Sequence, residues 1–315
     1  MYSLITYIFL NMITFITLLV MALIGMSFIT LLERKMLSYI QMRKGPNKVS
    51  LMGFFQPFSD AIKLISKESF FLFKSNYTLF YMSPVITMML SLTLWMIYPF
   101  FFTLITMKLS ILLMFSFMSV STYSSLLMGW ASNSIYSMLG CVRMIAQMIS
   151  YEVSFFLIFL SLMIISESLS FWMIMSMQKF MWFIFPMNIL AMIFILSMLS
   201  ELNRTPYDFS EGESELVSGF NTEYFSTFFT MIFMAEYTMI MILTMIFSMM
   251  FMTSGISIML IFKTFLMTVF IIWCRGLLPR FRYDLLMNMA WKNFLPISLM
   301  FMIITLNLKY LINMN

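Results

Sequence analysis

Apolar residues run for about twenty positions or more at a stretch along this chain, and polar residues gather in the connections between those runs. A helix needs about 20 apolar residues to cross the hydrocarbon core of a bilayer. Eight runs meet that need, at 4–32, 79–104, 109–130, 144–165, 180–199, 224–253, 256–273 and 294–311. Barrel strands are about 10 residues long and alternate in polarity, whereas these runs are continuous. The pattern therefore predicts an all-α membrane protein with eight transmembrane helices. Pro84 and Pro99 fall in the second run, where a kink or a helix end accommodates them. Residues 166–179, with Phe171 and Trp172, are predicted to form an interfacial connection. The first run is too long for a signal-peptide core and has no basic stretch before it, so it is expected to stay as a span. No internal repeat is visible, and residues 1–315 read as a single polytopic domain.

The basic residues set an orientation. Arg34, Lys35, Arg43, Lys44, Lys48, Lys63, Lys67, Lys74, Arg143, Arg204, Arg275, Arg280, Arg282 and Lys292 all border odd-numbered connections, fourteen of the chain's 18. Lys108, Lys179 and Lys309 lie on the other side, and Lys263 falls inside the seventh run. Positive charge is retained on the side of synthesis. Both termini are therefore expected on the opposite side.

Composition narrows the chemistry. The chain is 62% hydrophobic and only 10% charged, against about a quarter charged in soluble domains. It carries too little charge to coat its own surface against water. The net charge of +5 is spread between apolar spans, which argues against nucleic acid as a partner. There is no histidine, and Cys141 and Cys274 are the two cysteines. That excludes imidazole-ligated haem, His-containing zinc sites, His triads and a four-thiolate iron–sulfur cluster. The nine glycines form neither a G-x-G-x-x-G nor a Walker A loop. The 41 methionines are scattered where Leu or Ile would serve, as an AT-rich mitochondrial genome with an altered Met codon would produce.

Four constellations remain. The connection 33–76 holds the turn signal Gly45-Pro46-Asn47, then Phe54, Phe55, Phe58, Ile62 and Ile65 near helical spacing with Asp60, Lys63 and Lys67 between. That predicts an amphipathic helix at the interface, either an anchor on anionic lipid or a docking floor for a soluble partner. The connection 201–223 gathers Glu201, Asp208, Glu211, Glu213, Glu215 and Glu223, six of the chain's thirteen acids. If screened from water, such carboxylates titrate as a coupled set; if solvated, they form only an acidic loop. Glu152, Glu236 and Lys263 lie inside spans, where a charge faces a wet cavity or a partner. Finally, Arg275, Arg280 and Arg282 with Asp284 suit either carboxylate partners or a helix anchor.

The strings ERKMLSYIQMRKGPN, QPFSDAIKLISKE, ISYEVS, ELNRTPYDFSEGESELVSGFNTEYFSTFFTMIFMAEY and PRFRYDLLMNMAWKNFLP occur in this order over nearly the whole chain. Together they resemble the NADH-ubiquinone oxidoreductase chain 1 family, membrane subunits of respiratory complex I. The acidic string is the most specific of them. The resemblance implies eight transmembrane helices plus a matrix-side amphipathic helix, in the mitochondrial inner membrane, with both termini on the intermembrane-space side. It implies a chain without a redox cofactor that forms part of a ubiquinone chamber with the 49 kDa and PSST subunits. FMN, iron–sulfur clusters and NADH would belong to partner subunits. Glu201, Asp208, Glu211, Glu213, Glu215, Glu236 and Glu152 would form a proton-coupling path toward the antiporter-like and small membrane subunits, with Lys263 as a buried cationic partner. Arg34, Asp60, Phe233 and Arg275 would line the quinone site.

Two other classes stay open on the residues alone. An ion transporter acting by itself would use intramembrane Glu and Lys, although the inverted repeats common in such folds are not visible. A structural anchor without proton chemistry is the second. Within the superfamily, the membrane subunit of a hydrogen-evolving complex is a further alternative, which the co-purifying soluble arm would distinguish.

Overall fold

The protein is described from a computed structural model, which describes residues 2–70, 73–99, 107–210, 212, 216 and 219–314. Eleven α-helices occur among them, and no strand. They are α1 (Tyr2–Ile40), α2 (Gln56–Ile65), α3 (Tyr77–Thr93), α4 (Ser110–Ala131), α5 (Ile135–Ser166) and α6 (Phe171–Met177). Then follow α7 (Asn188–Glu201), α8 (Ser226–Phe251), α9 (Ile258–Leu277), α10 (Tyr283–Asn288) and α11 (Leu295–Met314). A 3-10 turn, Leu94–Ile97, extends α3, and a π turn, Met289–Phe294, joins α10 to α11. That wider turn stands just before Pro296, which has no N–H to continue a regular ladder.

Among the described residues, seven helical stretches are long and apolar enough to cross a membrane. The eighth expected span is α7, with 14 residues, roughly 21 Å of helix. It starts eight residues later than the apolar run at 180–199, because residues 182–187 fold as turns around Pro186. Those turns are held from outside: Ile184 N–H donates to the Phe251 carbonyl at 3.1 Å. The buried Gln178 amide donates to the carbonyls of Met249 and Met250, at 2.8 and 3.0 Å. Thus the end of α8 is capped by a side chain.

Two more boundaries differ from expectation. Helix α1 continues to Ile40, past the apolar run that ends at 32, because Glu33, Arg34 and Lys35 favour helix as readily as Leu does. The stretch expected as an interfacial connection contains α6, whose Phe171, Ile174 and Met175 are buried, while Trp172 stays exposed.

Helices α5 and α8 are the most enclosed of the spanning helices. Helix α5 packs on α4, α7 and α11, and α8 packs on α3, α9 and α1. Between them lies an apolar core in which Phe194 of α7 meets Phe155, Phe159, Phe247 and Phe251, with ring centroids 4.7–5.6 Å apart. Helices α1, α9 and α11 carry rows of exposed Ile, Leu, Phe and Met, the surface expected where lipid or another apolar subunit is the solvent. The amphipathic helix α2 exists as predicted, lying against α1 and α8 with Phe54, Phe55, Phe58, Ile62 and Ile65 exposed.

The basic connections gather at one end of the bundle. There Asn76 N–H donates to the Ala131 carbonyl at 2.9 Å, and Phe281 N–H to the Pro206 carbonyl at 3.0 Å. The opposite end is closed by Ile111 N–H on the Leu169 carbonyl at 3.2 Å and by an ion pair between Lys309 and Glu167 at 2.8 Å.

Candidate functional site

At the basic end, α1, α8, α9 and the connection after α7 meet around a buried carboxylate. Glu33 is 5% exposed. It pairs with Arg275 of α9 and with Arg204, whose Nη1 lies 3.5 Å away. Tyr237 of α8 donates its hydroxyl to Glu33 Oε2 at 2.7 Å. The Arg204 guanidinium lies over the Tyr237 ring, 4.6 Å from its centroid, and its Nη2 lies 4.0 Å from Glu236 Oε2. A buried carboxylate persists as an ion only when charge and hydrogen bonds replace its water, and Glu33 has both. Burial opposes the charge on Arg204, but Glu33, Tyr237 and Glu236 together more than offset it, so the guanidinium titrates above its ordinary value.

The connection after α7 is gripped from two sides. Gln147 of α5, fully buried, donates to the carbonyls of Ser200 and Tyr207 at 2.8 and 2.9 Å. Arg280 Nη2 donates to Asp208 at 3.0 Å. The Tyr207 ring stacks on Phe281 at 5.7 Å, and burial pushes its hydroxyl up to about 12. Asp208 is thereby held in the protein rather than in open solution.

Two cavities flank the cluster. One, of about 110 Å³, is lined by Glu201, Asp208, Glu236, Arg204 and Arg275 together with hydroxyls of α3 and α4, Thr87, Ser91, Ser121 and Ser124. The other, of about 480 Å³, opens between α1, α2 and α8, with Arg34, Asp60, Phe58, Phe233 and Tyr237 among its walls. Arg34 and Asp60 form an ion pair across its mouth, and Gln56 supports Asp60 at 3.0 Å. Mostly apolar walls with a few convergent polar groups suit an amphipathic small molecule. No cluster of His, Cys, Asp and Glu among the described residues could hold a metal ion.

Comparison with known proteins decides the family. A family model described as NADH dehydrogenase matches residues 13–306. NADH-ubiquinone oxidoreductase chain 1 of Aedes aegypti is 47% identical over 304 residues, 96% of this chain and 97% of that one. The chain 1 protein of Locusta migratoria is 48% identical over 305 residues, 96% of each chain. That of Balaenoptera physalus is 44% identical over 296 residues, 91% of this chain and 93% of its own. The chain belongs to the NADH-ubiquinone oxidoreductase chain 1 family.

The residues that this family resemblance singled out fall in several places. Arg34, Asp60 and Phe233 share the larger cavity. Arg275 does not line it; it lines the smaller one with Glu201, Asp208 and Glu236. Glu152 lies on the outer face in a groove between α4 and α5 with Phe115, Ser116 and Ser119. It is close enough to Glu201 for their charges to repel. Lys263 is at the far end, donating to the Met252 carbonyl at 2.5 Å and lying 3.7 Å over the Trp182 ring. Met252 follows Glu236 by sixteen positions along α8, roughly 24 Å, so Lys263 is remote from the carboxylate cavity. Glu211, Glu213 and Glu215 lie outside the described residues.

Sequence reasoning missed Glu33, Tyr237 and Gln147. Glu33 falls, by its place after the first apolar run, at the start of the connection 33–76. The available signal was helical phase: consecutive residues differ by about 100°, so Glu33 and Arg34 cannot face the same environment. Arg34 turns to Asp60 and Glu33 turns inward.

Proposed function

We propose that this chain is a core membrane subunit of proton-pumping NADH:ubiquinone oxidoreductase, forming part of its ubiquinone chamber and the first carboxylate stretch of the coupling path. The observation that carries this reading is the adjacency of the two cavities: a mostly apolar one with the Arg34–Asp60 pair at its mouth, and a polar one holding Glu201, Asp208 and Glu236. Tyr237 lines the first and reaches the ion cluster that borders the second. Ubiquinone is the substrate, an amphipathic molecule of the kind the larger cavity suits. The chain contributes cavity and charge, while FMN, iron–sulfur clusters and NADH belong to partner subunits. Reduction adds negative charge to the quinone. Ionisable groups nearby respond by changing their proton occupancy, and Glu201, Asp208, Glu236 and Glu152 pass that change outward toward the antiporter-like subunits.

In that setting the chain is multi-pass in the mitochondrial inner membrane. The basic end faces the matrix, where the 49 kDa and PSST subunits cover the chamber and anionic lipid meets α2, and both termini face the intermembrane space. The outer groove at Glu152 is then the side on which the next membrane subunit lies. A photoreactive short-chain ubiquinone analogue tests the reading in the assembled complex. Labelling is expected within residues 23–34, 57–64 and 229–237, the segments that wall the larger cavity, and is displaced by excess ubiquinone. Displaceable label that avoids all three segments would overturn the assignment.

A further inference from the structure

A third cavity, of about 400 Å³, lies between α1, the turn after α3, α8 and α9. Among the described residues no charged side chain lines it. Its three threonine hydroxyls are spent on their own helices. Thr244 donates to the Ile240 and Met241 carbonyls at 2.9 and 2.8 Å, Thr264 to Ile261 and Thr268 to Phe265, both at 2.7 Å. A gap with so few free polar partners does not hold water. On its outer side Phe28, Ile261 and Phe265 are exposed, so the crevice opens sideways onto the lipid-facing surface of α1 and α9. Trp95 and Tyr98 also line it. Trp95 stands eighteen positions after Tyr77, the first residue of α3 at the basic end. That is roughly 27 Å along the helix, against about 30 Å of hydrocarbon. The two rings therefore sit at the level of the far head groups, where Trp and Tyr gather. From there the crevice runs inward past Leu260 to Thr268, a rise of roughly 12 Å. The Trp95 indole N–H is buried and has no acceptor among the described residues.

We propose that this crevice holds one acyl chain of a phospholipid from the far leaflet, with an ester carbonyl accepting the Trp95 N–H, and that the chain props the wall of the larger cavity through Phe28. Size selects a chain over a helix of another subunit. A helix about 10 Å across fills roughly 900 Å³ over 12 Å of length, more than twice the space. The indole N–H calls for an acceptor at head-group level, and the ester carbonyls are the phospholipid acceptors nearest the hydrocarbon. An empty apolar gap forfeits the contacts on one side of its lining, and hydrocarbon is the medium beside it. Helix α1 is the partition between this crevice and the larger cavity. Gly25, Ile29 and Leu32 line the crevice, whereas Ser27, Thr30 and Arg34 line the larger cavity. Phe28 belongs to the crevice, and its ring meets Phe58 of the larger cavity edge-on, with centroids 6.2 Å apart. A chain behind Phe28 fixes where that pair stands. The lipid site is independent of the quinone reading above; its effect on quinone rests on that reading.

The test exchanges phosphatidylcholine carrying a diazirine partway down one chain into the assembled complex, followed by photolysis. Label is expected within residues 25–32 and 260–268, the crevice walls on α1 and α9, and excess ubiquinone does not displace it. Thr264→Phe fills the crevice, and Trp95→Phe keeps an apolar wall but removes the N–H. Each is expected to lower that label at least threefold while label on the rest of the lipid-facing surface stays. Delipidation is expected to raise KM for a short-chain ubiquinone at least twofold with kcat kept, and phosphatidylcholine to restore it. In Thr264→Phe, whose ring stands in for the chain, KM is expected not to respond to lipid. Absence of label from both segments overturns the site and assigns the crevice to a covering subunit. Label displaced by ubiquinone overturns it in favour of a quinone tail, and full label in both variants overturns it as well. Should Thr264→Phe fail to assemble, Trp95→Phe decides the site alone. Native labelling with a KM indifferent to delipidation overturns the link through Phe28. If ubiquinone label avoids the larger cavity while lipid label holds, the quinone reading fails and the lipid site stands.

Discussion

The side-chain amide of Gln147 donates to the carbonyls of Ser200 and Tyr207 at once, 2.8 and 2.9 Å away. Ser200 stands one residue before the end of α7, where the last carbonyls lack partners within the helix. Tyr207 stands beyond the turn that carries Arg204. One side chain on α5 therefore fixes both the end of α7 and the loop that places the guanidinium of the ion cluster. Gln147→Leu would remove both side-chain hydrogen bonds that tie these carbonyls to α5, at about 0.5–1.5 kcal/mol each, leaving each with a backbone donor, Asn203 N–H and Phe209 N–H respectively, both at 3.2 Å. The thermal midpoint of the membrane arm is expected to fall, and the loop to become more accessible to protease between Glu201 and Phe209. An unchanged midpoint would remove Gln147 from this role.

Helices α4 and α5 approach closely where Gly129 meets Cys141. A Cβ added at Gly129 would stand 2.3 Å from Cys141 Cβ, 2.8 Å from its Sγ and 3.1 Å from the Ser137 carbonyl. Gly129→Ala must separate the two helices, an overpacking cost of about 1–3 kcal/mol. Cys141→Gly removes the Cβ that the new methyl would strike. The double variant Gly129→Ala with Cys141→Gly is thus expected to be more stable than Gly129→Ala alone, by thermal denaturation in detergent. Additive losses would show that the close approach is relieved elsewhere.

At the far end, Lys309 of α11 pairs with Glu167 at 2.8 Å and also donates to the Ile164 carbonyl. The hydrogen bond and charge of Lys309 lower the Glu167 carboxyl below its ordinary range. A carboxylate depressed in the folded state adds stability above its unfolded pKa and loses it as pH falls through the folded value. The link between α5 and α11 is therefore intact at neutral pH and weakens in acid. Glu167 is exposed, so the effect is small and screened by salt. Hydrogen exchange of residues 305–311 is expected to rise as pH is lowered from about 5 to 3 beyond the intrinsic pH effect on the exchange rate, and Glu167→Gln to remove that excess. An equal excess in both proteins would assign it to another group.

Much of this architecture was legible in the apolar runs, because a membrane span must be long and apolar whatever it packs against. The amphipathic helix α2 was legible for a similar reason, since Phe54, Phe58, Ile62 and Ile65 keep helical spacing with Asp60 and Lys63 between. What escaped depends on partners distant in sequence. Glu33 and Tyr237 are 204 positions apart, and Gln147 and Ser200 are 53 apart. No local pattern announces that a polar side chain at the edge of an apolar run will turn inward to meet such a partner. The length of α7 escaped as well, because residues 182–187 are apolar enough for a span but are drawn into turns by contacts with the end of α8.

Lys263 shows how a charge inside an apolar run can be read two ways. The family resemblance implied a buried cationic partner for the carboxylate path. The lysine's contacts are instead the Met252 carbonyl at 2.5 Å and the Trp182 face at 3.7 Å. Met252 is the first residue after α8, whose last carbonyls need donors. The ammonium supplies one, and the indole face adds a cation–π contact of about 0.5–2 kcal/mol. Cap and contact together hold the turn between α8 and α9 against the segment before α7. Lys263→Met would remove both while keeping an apolar stem of similar length. The expected result is a lower thermal midpoint and faster exchange at residues 250–258, with protons pumped per electron within the native range. Arg at this position would restore the cap and the stacking, and with them the midpoint. If Lys263→Met instead leaves the midpoint alone and lowers the pumping ratio, the lysine belongs to the proton path after all, and its capping bond is incidental.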